Sequence, residues 1–487
     1  MSDFPYAPKD QPLTYCLDLE SYRFQPLAVA KNNGIWPKPK YRKSLVACAR
    51  WESQYIIEWI LYHQSIGFDH IYLYCNDDDP SDLYENILPF VIGENPFVTF
   101  HHYNFLGLQL QMYFHFMRNY MHETEWMMFL DIDEFVCIRG LNDINLFISS
   151  FPEDMDAMYF NWCSFGNNGH KTRPNGSVLL NYIRREDGVT PFTKVLIKSI
   201  VVPYAGIFDN PLAPIVHDYT GTKKGLNVRN VLGDNISDYY SNFPHSAGEY
   251  LGKEDRRQRI IQKSFVAHYN IKSDEDFDIR VRRSLVGTYA GEKMWGEKTK
   301  EEREVHHQET NAVVDTYLHD YWKTVMCGGW RKAIFPVSNW PIISRNKDSR
   351  QSSTAHARSV FEDAKSLVSG EIFGKPQSQT NIEDNPWWEI DLGDIFFVHE
   401  MRLFNSLEGD FGDVAWFELS SSTDGICWIN RFNKTDGKIY GGADGYPFIW
   451  QDAQGIEARY LRITIPGKAR RLQFDQIEFY GKTLGGC

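Results

Sequence analysis

The chain has 487 residues, enough for two or three domains, with 43% hydrophobic and 24% charged residues, an ordinary globular balance. A formal net charge of −13 argues against a nucleic-acid-binding surface, and the local basic stretches RREDG and KEDRRQR are broken by acids. Eight cysteines include no CxxC pair, which argues against a thiolate zinc site and fits a reducing compartment.

Residues 1–43 read as an irregular, proline-bearing N-terminal segment. Its opening, MSDFPYAPKD, is not a secretory leader, and no apolar run is long enough to span a bilayer, so a cytoplasmic location is expected. SLVACA (44–49) is a short apolar run typical of a buried strand. In ESQYIIEWILYHQSIG, Ile56, Trp59, Ile60 and His63 fall at helical spacing, and Gly67 is placed to end the helix. HIYLYC (70–75) is the next strand, then the polar loop NDDDPSD, a helical stretch and a third strand, FVTFHHY (97–103). QLQMYFHFMRNYMHE (109–123) reads as helix and WMMFLDID (126–133) as a fourth strand. This alternation predicts an α/β domain with a mostly parallel sheet, which binds ligands beyond the carboxyl ends of its strands.

GLNDINLFISSFP (140–152) looks helical, AMYFNWCSFG (157–166) is strand-like, and so are KVLIKSIVVP (194–203) and SFVAHYNI (264–271). SDEDFDIRVRRSL (273–285) is a helix with Ser273 as its N-cap and acids in the first turn. Prolines and polar residues mark a linker at 336–343, between a catalytic-type domain at 44–335 and a second domain at 344–487. In that second domain, period-two runs such as WWEIDL, VHEMRLF and QFDQIEFYG predict an antiparallel β-sandwich.

FLDIDEF (129–135) puts Asp131 and Asp133 on one face of an extended segment. Buried and unpaired, two carboxylates would cost on the order of several kcal/mol or take up a proton. A hard divalent cation removes that cost, and Mn²⁺ or Mg²⁺ typically takes carboxylates together with phosphate oxygens. The plain alternative is an acidic turn, or a cap for the following helix. AHYNIKS (267–273) adds His268, a metal ligand or a core histidine, and Lys272, a phosphate contact or a surface lysine. Glu134 either orients the metal shell or caps the next helix.

The ordered set ARWESQYIIEWILYH, GFDHIYLY, EWMMFLDIDEFV, FGNNGHKTRP, KSIVVP with VHDY, and HYNIKS resembles glycosyltransferase family 92 and its bacterial relatives, over roughly residues 43–290. The resemblance implies a GT-A fold, a Rossmann-like mixed sheet. It implies that Arg50, Glu52, Asn76 and Asp77 line a nucleotide pocket, and that Asp131, Asp133 and His268 hold the metal with its diphosphate. Lys272 becomes a diphosphate contact, and Lys198 and His217 match positions near the same rim. The family usually shows FGSSGH; Asn167 and Asn168 replace its serines here, which bears on the acceptor, because this loop should face the acceptor sugar. The implied activity is inverting galactosyl transfer from UDP-galactose. Such a reaction needs a base for the acceptor hydroxyl, and Asp187 in RREDG or His170 is the candidate.

NPWWEIDLG (385–393), SSSTDGICW (420–428), ARYLRI (458–463) and FDQIEFYGK (474–482) resemble the discoidin, or factor V/VIII type C, domain. That implies a jelly-roll sandwich that binds glycans or lipids, with a structural Ca²⁺ in some members. Residues 363–375 and 437–446 are the candidate binding loops. The expected function is transfer of a sugar from a UDP-sugar to a glycan or glycolipid such as a surface polysaccharide, with the acceptor held partly by the C-terminal module. Lipid-linked acceptors leave peripheral membrane contact open. A glycan-binding adhesion protein with a decayed transferase domain is the alternative. A glycoside hydrolase fits less well, because it needs two carboxylates flanking a cleft.

Overall fold

The computed structural model describes residues 38–103, 109–174, 176–204, 217, 225–284, 300–327, 338–407, 412–440 and 446–483. Nearly all of the expected N-terminal segment and residues 441–445 of one candidate loop lie outside them. The chain divides into two compact units: Met1–Arg173 with Tyr182–Leu318, and Pro174–Asn181 with His319–Cys487.

The first unit is built on one mixed sheet of β1 (Tyr41–Ala49), β2 (His70–Cys75), β3 (Val98–His102), β4 (Thr124–Phe129), β5 (Glu134–Ile138), β6 (Ala157–Ser164), β8 (Thr193–Lys198), β9 (Val228–Asn230) and β10 (Ser264–His268). A two-residue strand, β7 (Arg184–Arg185), pairs apart from it with β11 (Val313–Val314). The order across the sheet is β3-β2-β1-β4-β8-β6-β10-β5, with β9 beside β6. β1 to β4 are parallel, and β6, β9 and β10 share their direction. β8 runs against both β4 and β6, and β5 runs against β10. The result is a mixed sheet in which two reversed strands interrupt the expected parallel series.

Local sequence explains these elements. β2 is buried at every position, so HIYLYC has no polar alternation. Helix α1 (Ile56–Ser65) buries Trp59, Ile60 and His63, and Gly67 follows its end with φ 91°. Between β2 and β4 lie α2 (Ser81–Val91) and α3 (Gln109–Asn119); Tyr113 and Phe116 of α3 join Val46, Tyr72 and Phe129 of the strands in one core. The helix expected over 140–152 is shorter, α4 (Ile144–Ser149), because Asp143 caps its start by accepting from the N–H groups of Asn145 and Leu146. α5 (His245–Leu251), α6 (Arg256–Lys263), α7 (Asp274–Ser284) and α8 (Lys300–Thr310) complete the elements used below.

The second unit is a separate antiparallel β region. Its strands are β12 (Asp348–Gln351), β13 (Ser378–Gln379), β14 (Trp387–Phe404), β15 (Phe417–Ser422), β16 (Ile429–Lys434), β17 (Phe448–Thr464), β18 (Gln473–Phe474) and β19 (Gln476–Thr483). β14 is 18 residues long and pairs with β12, β17 and β19, with irregularities after Asp391 and Val398 in its pairing with β17 and after Val398 in that with β19. Trp388, Ile390 and Leu392 enter the core on alternate positions, and the Trp388 indole N–H donates to Ala364 O at 3.0 Å. α9 (Val360–Lys365) starts with a capping box between Ser359 and Glu362.

Candidate active site

The strand directions create one rim. The carboxyl ends of β1, β2, β4, β6 and β10 reach it, and so do the first residues of the reversed strands β5 and β8. Asp131 and Asp133 form the turn between β4 and β5. The turn is held by backbone hydrogen bonds, its own from Glu134 N–H to Asp131 O at 3.0 Å and one from Tyr269 N–H, just after β10, to Asp133 O at 2.8 Å.

The two aspartates have different surroundings. Asp131 Oδ2 lies 2.9 Å from Lys194 Nζ, and its Oδ1 accepts from Gln109 Nε2 at 2.9 Å. Lys194 is wholly buried and also lies 2.9 Å from Glu134 Oε2, which accepts the Asp131 N–H at 2.8 Å. Burial opposes ionisation of Asp131, but the Lys194 ammonium overcomes it and holds the carboxyl below its ordinary value. Burial pushes Glu134 up to about 8 against the pull of the same ammonium. One cation thus serves two acids and keeps the outer one charged.

Asp133 is buried, with Arg280 Nη1 of α7 on its Oδ2. Its Oδ1 lies 3.6 Å from His268 Nε2, a buried nitrogen with no hydrogen-bond partner among the described residues. Burial, helped by Arg280, pushes His268 down to about 4 against Asp133, so the imidazole is neutral and suited to metal ligation. A carboxylate opposite an orphaned imidazole nitrogen fits two ligands of a hard cation, whose remaining ligands can be phosphate oxygens. Among the described residues no group of three or more His, Cys, Asp and Glu is arranged to hold a metal ion. Lys194 engages the expected third ligand, Asp131.

The nucleotide candidates meet where β1 and β2 end. Arg50 Nη1 donates to Asn76 O at 2.7 Å, Trp51 N–H to Asp77 Oδ1 at 2.7 Å, and Asn76 N–H to Ala49 O at 2.8 Å. Glu52 accepts the first N–H groups of the α1 turn through its carbonyl and is itself buried. A small cleft lies beside them, lined by Trp51, Glu52, Tyr55, Lys272 and Arg280 among others. Trp51 and Lys272 have φ values of 57° and 52°, a left-handed conformation that costs a non-glycine residue about 1–2 kcal/mol. The Lys272 ammonium sits 4.5 Å over the Tyr55 ring. Arg173 and Tyr55 both bond Asp276 Oδ1, at 2.7 and 2.8 Å, which braces the cleft wall.

The loop at 165–173 lies against the start of α7. Asn167 Nδ2 donates to Asp274 Oδ1 at 3.0 Å, and Lys171 pairs with Asp274 at 2.9 Å. Asn167 Oδ1 accepts from Asn311 Nδ2 at 3.0 Å, and a Cβ on Gly166 would lie 2.5 Å from Asn311 Oδ1. Of the two asparagines that replace serines in the resemblance, Asn167 therefore binds Asn311 and α7, while Asn168 N–H donates to Asn311 Oδ1 at 2.9 Å and Asn168 Oδ1 accepts from Arg184 N–H at 3.0 Å. The His170 ring packs edge-on to Tyr182 at 5.4 Å. Asp187 is exposed, and its carbonyl accepts from Gln258 at 2.8 Å. Neither His170 nor Asp187 lines the cleft.

Lys198 and His217 separate in space. β8 runs against β4 with Lys198 opposite Trp126, so Lys198 stands at the far end of the strand, where Nζ donates to Glu153 O at 2.6 Å. His217 stays near the rim: its Nδ1–H donates to Thr193 O at 2.7 Å, and its ring meets Trp162, which also contacts His268. The reading of the sequence passed over Lys194 and Arg280. A charged residue directly before the apolar run Val195–Ile197 was the available signal for Lys194. Arg280 had none, because it looks like one basic residue of a polar helix.

The family model described as Glycosyltransferase family 92 matches residues 44–204. Residues 44–204 are thus similar to glycosyltransferase family 92. Proteins of that family from Oryza sativa subsp. japonica and Ricinus communis are each 26% identical, over 210 and 199 residues, covering 42% and 38% of this chain. The matches cover 34% and 33% of those proteins, so the chain spans about a third of the length of these curated relatives. The family 92 match contains Asp131, Asp133 and Lys194, whereas His268, Lys272 and Arg280 lie beyond its end.

Several solved carbohydrate-binding modules are similar to the C-terminal part. The lectin domain of lectinolysin complexed with Lewis B antigen is 24% identical, covering 30% of this chain and 98% of that one, with a TM-score of 0.24. A Streptococcus pneumoniae fucose binding module is 15% identical, covering 30% and 99%, with a TM-score of 0.25.

Proposed function

We propose that the protein is a metal-dependent glycosyltransferase that moves a hexose, galactose with inversion, from a UDP-sugar to a glycan acceptor. The observation that carries this reading is the buried Asp133 facing His268 Nε2, which has no hydrogen-bond partner among the described residues, beside a cleft lined by Lys272 and Arg280. Asp133 and His268 would hold Mn²⁺ or Mg²⁺ together with donor phosphate oxygens. When bound, that ion supplies charge neutralisation at the leaving diphosphate.

The chain's own groups do the rest. Lys272 adds a positioned ammonium for the negative charge that develops on the diphosphate. Lys194 keeps Asp131 ionised, and Glu134 accepts the Asp131 N–H and so holds the turn at the rim. Arg50, Glu52, Asn76 and Asp77 shape the end where the nucleoside would sit. The loop at 165–173 faces the acceptor, whose hydroxyl loses its proton to Asp187 or His170. pH profiles of kcat for Asp187→Asn and His170→Asn separate these two bases, because only loss of the true base removes the limb.

The C-terminal unit would hold an acceptor polysaccharide or glycolipid in the cytoplasm, at the membrane face where the acceptor is lipid-linked. Asp363, the buried acid of one candidate loop, accepts from Gln351, Thr354, His356 and Arg358, and this donor-saturated carboxylate does not fit a Ca²⁺ ligand.

Turnover of UDP- and GDP-sugars with Mn²⁺ tests the reading. UDP-galactose should be consumed fastest, EDTA should abolish turnover, and Asp133→Ala should lower it about 100-fold or more. Full turnover in EDTA overturns the metal-dependent mechanism. Glycan binding without turnover of any donor favours the adhesion protein.

A further inference from the structure

The Arg280 guanidinium occupies the inner carboxylate of the rim. Its Nη1 sits on Asp133 Oδ2, while Asp133 Oδ1 faces His268. Arg280 also lines the cleft, on the helix that begins directly after Lys272. The cleft lining carries Arg173, Lys272 and Arg280 against Glu52 and Asp276, three cations to two acids.

These charges are committed unequally. Arg173 is bound to Asp276, which is braced again by Tyr55 and by Ser273 Oγ at 2.7 Å. Arg280 is bound to Asp133, the acid that a cation would claim. A divalent ion on Asp133 and His268 would repel the guanidinium at close range. The side chain would then need another anion within reach of its helix position, and the neighbouring cleft is positive. A diphosphate meets that need, because a planar fork of N–H donors matches phosphate oxygens.

Resting on the metal-dependent reading above, we propose that Arg280 is an exchange residue. It neutralises Asp133 in the donor-free protein, and it transfers to the donor's diphosphate when metal and nucleotide enter. The arrangement makes metal and nucleotide binding mutually dependent. Metal alone must displace the arginine, whereas metal with nucleotide gives the arginine a new partner.

Titration of the full-length protein with Mn²⁺, followed by the electron paramagnetic resonance of unbound Mn²⁺, tests this with and without UDP. In Arg280→Ala, Mn²⁺ alone should bind about tenfold more tightly than in wild type, because the competing ion pair is gone. UDP in saturating Mn²⁺ should bind about tenfold or more weakly, because its diphosphate has lost a charged donor. Arg280→Lys keeps the charge without the fork. It should show wild-type Mn²⁺ affinity and intermediate UDP affinity. Thermal unfolding confirms that each variant is folded. A folded Arg280→Ala protein that binds Mn²⁺ no more tightly than wild type, or binds UDP equally well, overturns the exchange. Wild type that binds no Mn²⁺, even with UDP, overturns the metal-dependent reading itself.

Discussion

Lys194 shows how one residue can set the charge of a site. It is wholly buried and stands 2.9 Å from both Asp131 and Glu134. Removing one partner of a buried pair leaves an uncompensated charge, so Lys194→Met should destabilise the protein by about 3–5 kcal/mol, read by urea unfolding. His63 governs acid stability in a similar way. Its Nδ1–H donates to Trp59 O at 2.8 Å, and its Nε2 accepts from Val136 N–H at 3.4 Å, so only the neutral ring satisfies both. Burial pushes it down to about 3 from an ordinary 6.5. The unfolded chain then binds the extra proton between those values. The stability from His63 is complete above pH 6.5 and is lost as pH falls toward 3. His63→Phe should flatten the fall in unfolding free energy between pH 6.5 and 4, and an unchanged slope would assign the acid loss to other groups.

At the scale of elements, the direction of β8 decides which lysine reaches the rim. Lys194 and Lys198 are four positions apart on one strand, roughly 13 Å at the rise of an extended chain. Because β8 opposes β4, its first residues meet Asp131, and Lys198 meets Trp126. Lys198→Met should leave the affinity for UDP with Mn²⁺ within about twofold of wild type by calorimetric titration, the tolerance expected of a distant partly exposed site. The start of α7 has a second task besides capping. Asp276 N–H donates to Ser273 Oγ at 3.0 Å, while the Asp276 side chain holds Arg173 and Tyr55 at the cleft. Cap and cleft wall share one carboxylate.

For the whole molecule, two cores imply two unfolding units. The first surrounds the mixed sheet, with Tyr72, Phe116 and Phe129. The second lies within the antiparallel region, with Trp388, Leu403, Phe417 and Phe479. Differential scanning calorimetry should resolve two transitions. UDP with Mn²⁺ at about 100 times the dissociation constant should stabilise only the transition of the first unit, by about 2.7 kcal/mol. A shift of both transitions by the same amount would join the units into one cooperative block.

Local pattern alone established much of this protein. The apolar runs of β1, β2 and β4, the helical spacing of α1 and the Ser273 cap of α7 follow from burial and from hydrogen bonds between near neighbours in sequence. The acids at 131 and 133 stood out in the sequence, since such a pair at a strand tip needs a counter-charge. Tertiary structure decided which counter-charge each acid receives. Asp131 takes Lys194, 63 positions away, and Asp133 takes Arg280, 147 positions away, both through long-range pairing that no local periodicity encodes. It also decided that β8 is reversed, so that a lysine expected at the rim stands at the opposite end. The alternation of apolar residues is the same in either strand direction. Direction is set only when the neighbouring strands bond.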